Sequence, residues 1–109
     1  MISNINFLKT IADKNRLLIL YILNKNTLCV CDIQKIIPLT QGALSIQLRN
    51  LAQANLLSSF KQGKWVFYKL SDNVYHAHTD ILKTLFAEMA NDDEIINIAT
   101  NLKITQTCN

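Results

Sequence analysis

The sequence predicts a mainly α-helical domain that carries one β-hairpin. Its 109 residues include only two glycines and one proline, and such a composition beside abundant leucine and isoleucine favours helices over a sandwich or barrel. Apolar residues recur at helical spacing along most of the chain, and the period becomes alternating only over residues 56–70. The length suits one domain, so we expect residues 1–109 to fold as one unit with five to six helices.

Two helices are predicted at the start of the chain. Ile5, Leu8 and Ile11 lie at helical spacing and predict a helix over about residues 3–12. Asp13 is a good N-cap for a second helix that ends near Leu23. This second segment is apolar nearly all round, which is typical of the central helix of a small bundle.

The next two helices predict a helix-turn-helix unit. The third helix starts near Cys29–Asp32 and ends before Pro38, because the residue before a proline disfavours the helical conformation. Thr40 caps a fourth helix of about residues 41–54, and two short helices joined by a tight turn have the shape of a helix-turn-helix. At 100° per residue, Leu44, Leu48, Leu51 and Asn55 fall on one side of this helix and Gly42, Ser45, Ile46, Arg49 and Gln53 on the other.

Residues 56–70 predict a hairpin of two strands. Lys61 and Lys64 lie at its tip, and Gly63 between them can adopt the positive φ of a tight turn. An isolated hairpin is marginally stable, so we expect it to lean on the helices.

The C-terminal third is predicted to be helical. Ser71 or Asp72 opens a helix that runs to about Ala90. Asn91 with Glu94 three residues later resembles a capping box, and predicts the start of a last helix.

Composition excludes several classes of protein. Half the residues are apolar and 17% are charged, unlike a disordered chain. The longest apolar run, Leu17–Leu23, is far shorter than the roughly 20 residues of a membrane-spanning helix. The chain begins without the features of a signal peptide, so we expect a cytoplasmic protein without membrane contact. It also lacks a glycine-rich phosphate loop or nucleophile motif, so we expect no enzyme.

Charge is segregated along the chain. Residues 33–71 contain no acidic side chain, whereas residues 72–94 have one basic side chain against six acidic ones. The basic segment contains Lys35, Arg49, Lys61, Lys64 and Lys69. Because it includes the helix-turn-helix and the hairpin, it predicts a surface that faces nucleic acid. A solvated basic face is the alternative.

Three separated motifs resemble the ArsR/SmtB metalloregulators, and arsenical-resistance repressors in particular. They are Leu-Cys-Val-Cys-Asp-Ile at 28–33, Thr-Gln-Gly-Ala-Leu-Ser-Ile-Gln-Leu at 40–48, and Lys-Gln-Gly-Lys-Trp-Val-Phe-Tyr-Lys-Leu-Ser at 61–71. The resemblance covers about residues 7–72. It implies a winged helix-turn-helix and a homodimeric repressor that leaves double-stranded operator DNA on binding a metal or metalloid. Dimer contacts would come from helices at about 3–12 and 72–104, with a DNA-binding core at about 27–70.

The cysteines are the candidate ligands of the inducer. As(III) and Sb(III) are soft and prefer thiolates. Cys29 and Cys31 are about 200° apart on an ideal helix. They converge only if Cys29 is extended and Cys31 lies in the first helical turn, where the helix N-terminus also favours the thiolate. Cys108 is the third candidate, in a tail that folds back in its own subunit, reaches across a dimer, or is disordered.

Two positions depart from the pattern of the arsenical-resistance repressors, and two alternative functions remain. Gln34 stands where that branch has a third cysteine, and Gln47 replaces a common histidine of the recognition helix. One alternative is a Cd(II), Pb(II) or Zn(II) sensor that uses Cys29 and Cys31 with other donors. Another is a thiol redox switch in which Cys29 or Cys31 bridges to Cys108.

The fourth helix and the hairpin tip supply the candidate DNA contacts. Glutamine pairs well with adenine and arginine with guanine, so Gln41 and Arg49 are predicted to read bases. Ile46 suits a thymine methyl group, whereas Lys61 and Lys64 are predicted to touch the backbone or minor groove. The predicted set is Thr40, Gln41, Gly42, Ser45, Ile46, Arg49, Lys61 and Lys64. We expect neither Cys29 nor Cys31 to face DNA.

His76, His78 and Asp80 suggest a second metal site, but their spacing argues against one within a single chain. His76 lies about 160° from His78 around the helix. We therefore expect one surface histidine and one that packs at a dimer interface.

Overall fold

Residues 2–98 are described by the structure, a computed structural model of the chain. Cys108 and the end of the last predicted helix lie outside these residues. The elements are α1 Ile2–Ile11, α2 Lys14–Leu23, β1 Leu28–Cys29, α3 Val30–Ile36, α4 Gln41–Gln53, β2 Leu57–Gln62, β3 Trp65–Leu70 and α5 His76–Met89, followed by helical residues 93–98, named α6. This is a winged helix-turn-helix, which confirms the predicted fold class.

The predicted caps account for where α2 and α4 begin. Asp13 caps α2, since its carboxylate accepts a hydrogen bond of 3.0 Å from the backbone N–H of Arg16. Thr40 caps α4 in the same way, with its hydroxyl 3.2 Å from the backbone N–H of Ala43. The leucine face of α4 is fully buried, at Leu44, Leu48 and Leu51. α2 lies at the centre of the core, and Ile19 and Leu20 on it are fully buried.

The sheet differs from the prediction, because it has three strands. β1 pairs antiparallel with β3, so the strand order is β1-β3-β2. Cys29 lies opposite Phe67 in this ladder. A strand of two residues is too short to show a period in the sequence, and it forms because β3 supplies the backbone partners. The hairpin itself is as predicted, with Gly63 at a φ of 64°.

α5 begins later than predicted, at His76 rather than at Ser71 or Asp72. The backbone N–H of Ser71 instead donates to the carbonyl of Leu56, at 2.9 Å. This bond continues the register of β2 and β3 by one position, so the chain at Ser71 still follows the ladder and turns into the helix only later. α6 is capped by Asp92 rather than Asn91, since an oxygen of the Asp92 carboxylate accepts from the Glu94 N–H at 2.8 Å.

His78 packs against α1 of its own chain, and its predicted place at a dimer interface stays a prediction. Its ring stacks on Phe7 of α1, with centroids 3.9 Å apart. Its Nε2 lies 2.8 Å from the side-chain oxygen of Asn4. His76 is exposed, as predicted. These contacts with α1 join residues more than 70 positions apart, so the spacing of residues along α5 does not reveal them.

None of the helices within residues 2–98 has the length and apolar character that a membrane span requires.

Candidate metal and DNA-binding sites

Cys29 and Cys31 meet at the junction of β1 and α3. Cys29 is the extended N-cap of α3, at φ −80° and ψ 163°, and Cys31 lies in its first turn. Their Sγ atoms are 2.7 Å apart. The arrangement confirms that an extended residue followed by a helical one brings the two sulfurs together. Cys29 is 1% exposed and Cys31 is half-buried, so the pair is reached from the side of Cys31.

Asp32 is a third donor at this junction, which the sequence analysis did not assign. One donor atom from each of Cys29, Cys31 and Asp32 lies within 4.8 Å of the others. Asp32 is only 5% exposed, and its buried Oδ1 has no hydrogen-bond partner among the described residues. Buried polar atoms are normally hydrogen-bonded, so an oxygen left in this state is suited to a cation. Asp32 could have been found in the sequence, because it directly follows Cys31 in the first motif.

Electrostatics at Asp32 favour a bound cation. Burial raises the pKa of its carboxyl, and the ammonium of Lys35 opposes this shift. Lys35 Nζ is 3.9 Å from Oδ1, too far for a hydrogen bond. The carboxylate is thus removed from solvent, and the ammonium of Lys35 offsets its negative charge only weakly. With two sulfurs and one carboxylate, the residues present fit a thiophilic or borderline ion.

The predicted base-reading face of α4 is on the surface. Gln41, Gly42 and Arg49 are exposed, and Ile46 is 55% exposed. Ser45 is half-buried beside them. These residues therefore lie on one accessible side of α4, opposite its buried leucines.

Gln47 is not part of that accessible face, because Arg16 holds it. Arg16 Nε donates to Gln47 Oε1 at 2.7 Å, and one of its terminal nitrogens donates to the carbonyl of Thr10 at 3.3 Å. The guanidinium thus ties α4 to α2 and to the end of α1. Glutamine at this position serves the packing of the recognition helix within the chain.

The hairpin, or wing, carries basic side chains at its tip. Lys61 and Lys64 are both exposed. The ammonium of Lys64 lies 5.3 Å from the ring centroid of Trp65, within the range of a cation–π contact. Phe60 and Phe67 stack on each other across the two strands, with centroids 5.4 Å apart, and stiffen the wing.

A cleft of about 790 Å³ separates α4 from the wing. Its lining contains Arg49 and Lys64 but no carboxylate, so its field attracts anions. Cys31 also lines this cleft, whereas Cys29 does not; that neither thiol faces DNA stays a prediction. The lining residues are Val30, Cys31, Gln34, Gln41, Ser45, Arg49, Ala52, Gln53, Ser59, Lys64, Trp65, Val66 and Tyr68; this cleft is called the α4–wing cleft below.

A family model described as "Bacterial regulatory protein, arsR family" matches residues 13–59. The arsenical resistance operon repressor of Bacillus subtilis is 42% identical over 65 residues, which cover 59% of this chain and 62% of that protein. The cadmium resistance transcriptional regulatory protein CadC of Listeria innocua is 40% identical over 63 residues, or 57% of this chain and 53% of that protein. The chain thus spans between half and two thirds of the length of these relatives.

The match to the transcriptional activator HlyU of Vibrio cholerae is longer. It is 35% identical over 81 residues, covering 74% of this chain and 75% of HlyU. The solved structure of reduced HlyU aligns with a TM-score of 0.68 and 31% identity over 76% of this chain and 84% of that one. The similarity therefore extends through the helix-turn-helix and beyond it.

Proposed function

The chain belongs to the arsR family of bacterial regulatory proteins, and on that premise we propose that it is a homodimeric transcriptional repressor. In this proposal the repressor is cytoplasmic and is not an enzyme. It releases operator DNA when Cys29 and Cys31 bind an inducer. Family and fold are those of DNA-binding transcriptional regulators. The observation that carries the proposal is the sulfur pair at the start of the helix-turn-helix, with Sγ atoms 2.7 Å apart.

DNA binding is supported by shape and charge. The exposed side of α4 is suited to the major groove, where Arg49 can read guanine and Gln41 adenine. The exposed Lys61 and Lys64 of the wing suit the adjacent backbone or minor groove. Thr40, Gly42, Ser45 and Ile46 complete the proposed contact surface.

The position of the sulfur pair supports a response to the inducer. Cys29 belongs to β1, which pairs with β3 of the wing, and Cys31 belongs to α3 of the helix-turn-helix. A ligand that holds both sulfurs therefore acts on the wing and on the DNA-reading unit together. We propose As(III) or Sb(III) as inducer, because soft centres prefer thiolates, with Cys108 as the third thiolate.

Operator release against a panel of ions tests this function. Fluorescence anisotropy of a labelled operator would be followed during titration with As(III), Sb(III), Cd(II), Pb(II) and Zn(II). We expect As(III) and Sb(III) to release the operator at the lowest concentrations. If no ion causes release and peroxide does so without metal, the chain is a thiol redox regulator instead.

A second candidate function, a sensor of Cd(II), Pb(II) or Zn(II), is favoured by Asp32. A carboxylate suits a borderline divalent ion better than arsenic, and the buried Oδ1 of Asp32 lacks a hydrogen-bond partner within the described residues.

The Asp32→Asn variant separates the two candidates. In a Cd(II) sensor the substitution removes a ligand charge, so we expect the midpoint of Cd(II)-induced release to rise by about tenfold or more, as for loss of one favourable contact of about 1.4 kcal/mol. In an As(III) sensor the midpoint for As(III) should change little. Asp80→Asn, at an exposed position on α5, is the matched control.

The dimer is proposed from an apolar surface that α1 and α5 leave exposed. Ile5 and Leu8 on α1 and Ile81 on α5 are 43%, 50% and 40% exposed. We expect the parent chain to sediment as a dimer at micromolar concentration. The Leu8→Glu/Ile81→Glu variant should sediment as a monomer, because charge placed in an apolar interface is costly, whereas Lys83→Glu, also exposed on α5, should stay dimeric. A monomeric parent would contradict the proposal.

A further inference from the structure

The α4–wing cleft brings two proposed functions to one place. Its walls carry Gln41, Ser45 and Arg49 from α4 and Lys64 from the wing, which are proposed DNA contacts. Its lining also includes Cys31, which belongs to the proposed inducer site.

DNA that engages both walls must fill the space between them. The major and minor grooves of a duplex are separated by a sugar–phosphate strand. If α4 enters one groove and the wing tip touches the next, the intervening strand passes over the α4–wing cleft. Arg49 and Lys64 on opposite walls, with no carboxylate in the lining, are suited to these phosphates.

The inducer site opens into the same space. Cys29 is 1% exposed and Asp32 is 5% exposed, whereas the half-buried Cys31 is the one of these three donors that lines the cleft. Asp32 Oδ1 has no hydrogen-bond partner among residues 2–98, which points independently to a ligand at this junction. A ligand held by these donors therefore has its accessible side at Cys31, on the lining of the cleft.

We infer that the α4–wing cleft is shared by the operator backbone and by the group bound at Cys31, so that the two exclude each other sterically. This inference rests on the proposed function and specifies how release occurs. A ligand that bridges Cys29 and Cys31 then strains the junction of β1 and α3. The part of this ligand at Cys31 also occupies the space that the sugar–phosphate strand needs. Release should therefore depend on the size of the group at residue 31, even when the group binds no second cysteine.

The test uses the full chain with Cys29→Ser and Cys108→Ser, in which Cys31 is the remaining cysteine. Methyl and benzyl methanethiosulfonate transfer a thiomethyl or a thiobenzyl group to the Cys31 sulfur, and methanesulfinate leaves. Operator affinity is measured before and after each modification. We expect thiobenzyl to weaken binding by about tenfold or more, as for loss of one good base or phosphate contact, and thiomethyl to have a much smaller effect.

The matched control carries Thr27→Cys in a chain whose three native cysteines are serine. Thr27 is exposed, precedes β1 and does not line the cleft. We expect both groups at residue 27 to leave operator affinity unchanged. Circular dichroism and thermal melting of each modified protein verify that the fold is retained.

A second measurement asks whether bound operator, in turn, protects Cys31 from modification. In the chain with Cys29→Ser and Cys108→Ser, the rate at which uncharged N-ethylmaleimide labels Cys31 should fall in proportion to the fraction of protein bound to operator. Labelling of the cysteine at residue 27 should not change.

Equal effects of thiomethyl and thiobenzyl, or labelling of Cys31 that is indifferent to operator, would overturn the inference. The parent chain, titrated with As(III) and Cd(II) in parallel, would still show operator release in that case and the proposed function would stand. Absence of operator binding by the parent chain would overturn both.

Discussion

The Cys29→Ser and Cys31→Ser variants are expected to bind operator with nearly the affinity of the parent chain and to lose release by As(III). Serine is close to cysteine in size, so the packing of β1 and α3 should survive. Its hydroxyl is a hard, weakly acidic donor that does not replace a thiolate for a soft ion. Because the two sulfurs lie 2.7 Å apart at one junction, removal of either leaves a single thiolate there. Operator anisotropy during As(III) titration measures the effect.

Cys108→Ser is the companion to these variants. We expect it to raise the As(III) midpoint without removing the response, because Cys29 and Cys31 already converge without it. A double serine variant at 29 and 31 that still responds fully would overturn the metalloid-sensor proposal. A wholly unresponsive Cys108→Ser would make Cys108 an obligatory third ligand.

Arg49→Ala is expected to change which operator sequence is preferred. Loss of a bidentate arginine–guanine contact costs about 1–3 kcal/mol of discrimination at one base pair. Gln41→Ala should act in the same manner at an adenine. Both side chains lie on the exposed side of α4, so neither substitution disturbs its buried leucines. Affinities for a panel of single-base operator variants would reveal the relaxed position.

The Lys61→Ala/Lys64→Ala variant is expected to weaken binding to all sequences alike. Each lysine that neutralises a phosphate releases counterions, so the slope of log affinity against log salt should fall by about two for the pair. Lys83→Ala, an exposed lysine on α5, is the matched control. Equal loss at every sequence for the lysine pair, Arg49 and Gln41 alike would contradict the division into positioning and reading residues.

Local chemistry allowed the sequence to predict most of the helix-turn-helix and the wing. Asp13 and Thr40 cap helices with their own side chains, and such bonds span only three residues. The leucines of α4 follow the period of the helix, and Gly63 supplies the positive φ of the hairpin turn. The convergence of Cys29 and Cys31 was predictable for the same reason, because it depends on the conformation of three consecutive residues.

Contacts between distant segments decided the remainder. β1 exists because β3 pairs with it, and the bond from Ser71 to Leu56 prolongs the pairing of β2 and β3 past the residue where α5 was predicted to begin. The sequence already places Asp32 directly after Cys31, but the burial of its carboxylate and the lack of a hydrogen-bond partner for Oδ1 among the described residues depend on the packing around it. The α4–wing cleft joins residues of α3, α4 and the wing that are up to 38 positions apart in the sequence. Caps and periods are properties of neighbours along the chain, whereas burial, strand pairing and a shared cleft arise only when the chain packs on itself.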